Sequence, residues 1–113
     1  MSNKDWKPYA QHILGCIAKI DRILERGSII QDAILYDAAL RNLQTLAEAT
    51  QNLPIEIKLS YPNIPWKQIS AFRNILVHNY LGDIDPETIQ QVITQHLAPL
   101  KHVIEEISVN HGN

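Results

Sequence analysis

Residues 5–27 read DWKPYAQHILGCIAKIDRILERG. Within this stretch Trp6, Ala10, Ile13, Ile17, Ile20 and Leu24 recur at steps of four and three. Side chains at those spacings share one face of an α-helix, so the stretch is an amphipathic helix with one apolar stripe. Asp5 offers an oxygen to cap the first turn. Pro8 falls within that turn, where a missing N–H breaks no helical bond. Gly27 stops the helix and suits the left-handed position just past a helix end. Ser28 then offers a fresh cap.

The same pattern repeats outward. From about Ile29 to Asn52, the residues Tyr36, Ala39, Leu40, Leu43, Leu46, Ala47 and Thr50 carry helical spacing, and Leu53-Pro54 ends the run. IEIKL at 55–59 alternates like a strand, but a single short strand has no partner in this chain. It is read as a short helical turn followed by a proline-punctuated loop. A further helix starts near Pro65-Trp66 and runs to about Tyr80, with Ile69, Phe72 and Leu76 on its apolar face. Asp85-Pro86-Glu87 opens the last helix with a cap, a first-turn proline and a carboxylate near the positive end of the helix dipole. Its stripe is Ile89, Val92, Ile93, Leu97, Leu100, Val103, Ile104 and Ile107, with a kink expected at Pro99 and a polar, frayed tail at SVNHGN, 108–113. The predicted fold is all-α: one domain over residues 1–113, an antiparallel up-down bundle of four to five helices. Several stripes carry a second apolar edge, which a homodimer would bury.

Bulk properties narrow the function. A chain of 113 residues with 45% hydrophobic residues supports one ordinary core, and its few aromatics leave the packing to aliphatic side chains. The formal net charge of −2 gives no support for a broad phosphate-tracking surface, although a small local site needs only a few cations. Cys16 is the only cysteine, so no intrachain disulfide forms. Its neighbours Leu14, Ile17 and Ala18 mark it as a small buried hydrophobe rather than a nucleophile. MSNKDWKPYAQ at the start lacks the apolar core of a signal peptide, and no run approaches the roughly 18 apolar residues that span a bilayer. The expectation is a soluble, cytoplasmic protein.

There is no glycine-rich phosphate loop, no GxSxG and no CxxC. His12, His78, His96, His102 and His111 form no HExxH, and His96 and His102 lie about 120° apart around one helix. Neither a metal site nor a cofactor is expected. What remains is RNILVHNY at 73–80. Arginine can hold a phosphate bidentately and balance charge in a transition state. Histidine can move a proton at neutral pH. With RNA the internal 2′-hydroxyl is the nucleophile, so no metal is strictly required. Asn74 and His78 share a face, as do Arg73 and Tyr80, but Arg73 and His78 lie about 140° apart on a straight helix. They converge if the helix ends near His78, if Arg73 uses its long stem, or if two protomers share a site. Spacing alone also fits a polar seam in a bundle, and Tyr80 alone fits an interface aromatic.

The wider segment PNIPWKQISAFRNILVHNYLGDIDPETI at 62–89 resembles the HepT-like toxins of the HEPN superfamily. Their Arg-x4-His-x-Tyr motif matches Arg73, His78 and Tyr80, and Pro62, Pro65 and Trp66 match its lead-in. ALRNLQTLAEA at 39–49 resembles the family's second-helix signature, with Ala47 where glycine is usual before Glu48-Ala49. Ala71-Phe72 replaces a small residue and Met. The resemblance implies a homodimeric helical bundle with both protomers' motifs lining one cleft. It implies a metal-independent endoribonuclease for transfer or messenger RNA, the toxin of a type VII-like HEPN/MNT toxin–antitoxin pair. Its partner is a minimal nucleotidyltransferase (MNT) antitoxin that in some members adds AMP to the motif tyrosine. Carried over, Arg73 and His78 are catalytic, Asn74 is auxiliary, and Tyr80 is the AMPylation site. The alternative is a non-catalytic nucleotidyltransferase partner that uses the same residues as a docking or nucleotide-binding surface.

Overall fold

The computed structural model describes residues 5–78 and 84–111, with side chains for 5–74 and 84–109. The described residues form five helices and no strands: α1 (Lys7–Arg26), α2 (Ala33–Thr50), α3 (Ile55–Ser60), α4 (Trp66–His78) and α5 (Pro86–His111). α2 packs against both α1 and α4, and α1 also packs against α5. Neighbours joined by a connection as short as Gly27–Asp32 must run antiparallel. At about 1.5 Å per residue, the 26 residues of α5 cover most of the 44 Å long axis.

The stripes in the sequence are the stripes that pack. Ala10, Ile13, Cys16, Ile17 and Ile20 are buried along α1. Ile89, Ile93, Leu97, Leu100, Val103, Ile104 and Ile107 are buried along α5. The core is aliphatic, while Trp6, Tyr9, Tyr36, Tyr61, Trp66 and Phe72 pack around it half-buried. Thr50, a polar side chain within this core, donates its hydroxyl to the Ala47 carbonyl at 2.6 Å. Burial of Cys16 pushes its thiol pKa up, against a smaller downward pull from Lys19, as suits a packing residue.

Several boundaries differ from the sequence expectation. Asp5 supplies the capping bond to the Lys7 N–H at 3.0 Å, but Trp6 is the capping position. Gly27 is not left-handed: at φ 161° and ψ −168° it is extended, a conformation open to any residue. Glycine matters there for space, because a Cβ would sit 3.0 Å from Leu35 Cδ1. α2 begins at Ala33 rather than near Ile29. Ser28 caps only one turn, through Ile30 N–H at 3.1 Å, and Asp32 then takes the Ile34 and Leu35 N–H groups. That turn drives Ile29 into the core at 1% exposure.

At the other end, Asp85 caps α5 through the Glu87 N–H at 3.2 Å. α5 continues as helix through Pro99. Pro99 and Gln95 are both exposed, so the carbonyl left without an N–H partner can turn to water. The tail, expected to fray, stays helical to His111, with Ser108 Oγ donating to Ile104 O at 2.8 Å. IEIKLS forms the short helix expected of it. No helix among the described residues is long and apolar enough to cross a membrane.

Candidate active site

α4 is placed by its first residue. The Trp66 indole Nε1–H donates to the carbonyls of Lys58 at 3.1 Å and Tyr61 at 3.0 Å. These bonds tie α3 and the proline-rich loop to the start of α4. Partial burial lowers the Lys58 pKa by disfavouring its charged form. Ile69 and Phe72 then lean toward the core, half-buried, and set the rotation of α4 against α2. Beyond the motif, the Tyr36 hydroxyl donates to the Ile84 carbonyl, which fixes the chain where it returns toward α5.

Two turns along α4, Arg73 reaches across to α2. Its Nη2 meets Glu48 Oε2 at 2.9 Å. Its Nη1 donates to Asn74 Oδ1 at 3.2 Å. A guanidinium carries five N–H donors, so three stay uncommitted among the described residues. One is Nε–H, which is buried without a partner there. The other two, one on each Nη nitrogen, are the donors a phosphate oxygen could meet. With side-chain exposures of 29% and 52%, the Arg73–Glu48 pair is worth at most about 1 kcal/mol of stability. Its consequence is positional: it fixes where the guanidinium points.

Glu48 carried no functional role in the sequence reading. One signal was available. A carboxylate in the last turn of α2 sits at the negative end of the helix dipole, and that turn holds no basic residue. A charge placed against its helix calls for a tertiary partner, and Arg73 is that partner.

Arg73 and Glu48 border a polar cleft of about 530 Å³. Its other walls are Tyr9 and His12 from α1, Thr45 and Ala49 from α2, and Gln51 and Asn52 from the turn that follows. The start of α1 thus faces the end of α2, as an antiparallel pair requires. Asn74 is exposed, and its amide oxygen is engaged by Arg73. The backbone of His78 is the last residue of α4 as described, while its side chain lies outside the described residues. Tyr80 also lies outside them. α4 is helical through both 73 and 78, so the two positions keep about 140° between them within one chain.

A family model described as Ribonuclease HepT-like matches residues 13–107. The chain belongs to the HepT-like ribonuclease family. Relatives cover nearly all of it. "Putative RNase TTE0752" of Caldanaerobacter subterraneus subsp. tengcongensis is 32% identical over 89% of this chain and 92% of its own length. "Gamma-glutamylcyclotransferase and putative RNase MJ0434" of Methanocaldococcus jannaschii is 32% identical over 97% of this chain, which spans about half (52%) of that protein. "Probable ribonuclease HepT" of Thermococcus cleftensis is 26% identical over 94% of this chain and 96% of its own length. No solved structure matches significantly. Within this HepT-like chain, the matched span includes α2, α4 and the whole of the Arg73–Glu48 contact.

Proposed function

We propose that this HepT-like chain is a metal-independent endoribonuclease, the toxin of a type VII-like HEPN/MNT toxin–antitoxin pair. The observation that carries the proposal is the Arg73 guanidinium, aimed by Glu48 and keeping one uncommitted N–H on each Nη nitrogen at the edge of a polar cleft. In this scheme Arg73 binds the non-bridging oxygens of the scissile phosphate and balances the charge that grows there. The RNA's own 2′-oxygen attacks phosphorus. The P–O2′ bond forms, the P–O5′ bond breaks, and a 2′,3′-cyclic phosphate and a 5′-hydroxyl result. His78 moves the proton off the 2′-oxygen or onto the departing 5′-oxygen.

A homodimer answers the 140° separation by pairing Arg73 of one chain with His78 of the other. Ile69 and Phe72, half-buried beside an open groove, belong to an apolar edge that a second protomer would cover. A minimal nucleotidyltransferase antitoxin would silence the site by adding AMP to Tyr80, since an added phosphate brings negative charge and oxygen acceptors that compete for Arg73. The second reading, a non-catalytic nucleotide-binding module, draws on the net charge of −2 and on Glu48 already engaging the guanidinium. The assay that separates them is incubation of purified, unmodified protein with transfer and messenger RNA in EDTA. The ribonuclease reading expects cleavage that His78→Ala abolishes; intact RNA from wild type across both classes would leave only the binding module.

A further inference from the structure

The cleft beside Arg73 is larger than a phosphate needs, and its lining is not that of a phosphate site. At about 530 Å³ it falls within the roughly 300–1,000 Å³ of small-molecule pockets. Among the described lining residues Arg73 is the one arginine or lysine, while Glu48 sets a carboxylate on the same wall. A carboxylate there opposes a second phosphate and favours a neutral, hydrogen-bonding group. Two amides follow at Gln51 and Asn52, and a half-buried phenol at Tyr9. The His12 side chain is exposed on α1 and makes no hydrogen bond or ion pair among the described residues. Part of the set has a structural task, since Asn52 Nδ2 donates to the Glu48 carbonyl at 3.3 Å and Tyr9 packs against the core, but neither accounts for His12 and Gln51 beside the ion-paired Arg73. Unpaired RNA bases are recognised by that kind of set: stacking on aromatic and imidazole rings, with amides and carboxylates on the base edges.

We propose that this cleft is a base-recognition subsite, seating the unpaired nucleobase of the ribonucleotide next to the phosphate held by Arg73. It rests on the ribonuclease reading only for its place beside the scissile bond. His12 and Tyr9 face the base, and Gln51 with Glu48 reads its edge.

The test uses the 113-residue chain carrying His78→Ala, which changes none of the described lining residues. The probes are the four nucleoside 3′-monophosphates, with inorganic phosphate as the reference, followed by backbone amide NMR. At least one nucleotide is expected to shift the amides of Tyr9, His12, Gln51 and Asn52, while inorganic phosphate shifts only those around Arg73. The double variant His12→Ala/Gln51→Ala, at two exposed positions, is expected to weaken that nucleotide at least fivefold and to raise the KM of wild-type RNA cleavage with a changed base preference. Nucleotide shifts no different from those of phosphate would overturn the subsite, as would unchanged nucleotide binding by the double variant. The two proposals fail separately. Nucleotide bound in the cleft without RNA cleavage removes the ribonuclease and keeps the subsite. RNA cleaved by the double variant with wild-type KM and base preference removes the subsite and keeps the ribonuclease.

Discussion

Glu48→Gln isolates what the Arg73–Glu48 contact does. Glutamine keeps the length and one acceptor oxygen but removes the charge that holds the guanidinium at 2.9 Å. Both side chains are substantially exposed, so the pair's net stability is small, at most about 1 kcal/mol. In a domain near this size that is a melting shift of about 5 °C or less. The effect on catalysis is larger. An arginine side chain carries about 2 kcal/mol of rotamer entropy, and a loosened Arg73 regains part of it. At about 1.36 kcal/mol per decade, full release would lower the productive population about thirtyfold. Because glutamine still accepts one hydrogen bond, we expect kcat/KM for RNA cleavage to fall about tenfold. Glu48→Asp, which keeps the charge, should recover part of the loss. The pH profile should be unchanged, because the imidazole is untouched. Single-turnover cleavage of a fluorogenic RNA, beside a circular-dichroism melt, measures both. Cleavage by Glu48→Gln as fast as wild type or faster, with the melt unmoved, would refute the argument, for the carboxylate would then merely compete with RNA phosphate for Arg73.

Other outcomes follow from the same structure. Gly27→Ala should change stability by less than about 1 kcal/mol in a urea melt, because the backbone is extended and only the flexible end of Leu35 must yield; a larger loss would point to a left-handed glycine after all. Ile104→Ala, at 0% exposure in the C-terminal half of α5, should cost about 2–5 kcal/mol by chemical denaturation. Cys16 has a folded pKa above its unfolded value, so its contribution to stability holds below pH 9 and is lost as pH rises through the folded pKa. At pH 8 its thiol should react with a disulfide reagent far more slowly in native protein than in urea, and equal rates would contradict its burial.

Much of the fold was legible because the helices are amphipathic and their stripes are long. Ile13, Ile17 and Ile20 on α1, and Ile93, Leu100 and Ile107 on α5, sit in the core where their spacing places them. What was not legible depended on contacts between elements. Ser28 and Asp32 are equally good caps locally, and only the burial of Ile29 decides that α2 starts at the second. Gly27 reads as a left-handed stop from its position, but the reason for glycine is Leu35, eight residues on. The site divides in the same way. Arg73 and Asn74 are visible as a motif, and the structure brings them into contact. Glu48 and His12 come from other helices at distant positions, and only the packing of α1, α2 and α4 brings them to the same cleft.

The claim on which the account turns is a ribonuclease site shared between two chains, and subunit mixing tests it. Arg73→Ala and His78→Ala homodimers should each be inactive in EDTA. Mixed, refolded or co-expressed at equal amounts, half of the dimers should be hetero, each with one site in which Arg73 of one chain meets His78 of the other. The account predicts recovery of about a quarter of wild-type cleavage, following the statistics of a two-fold interface. A mixture as inactive as its parents, with heterodimers demonstrated by mass spectrometry, would contradict a shared site.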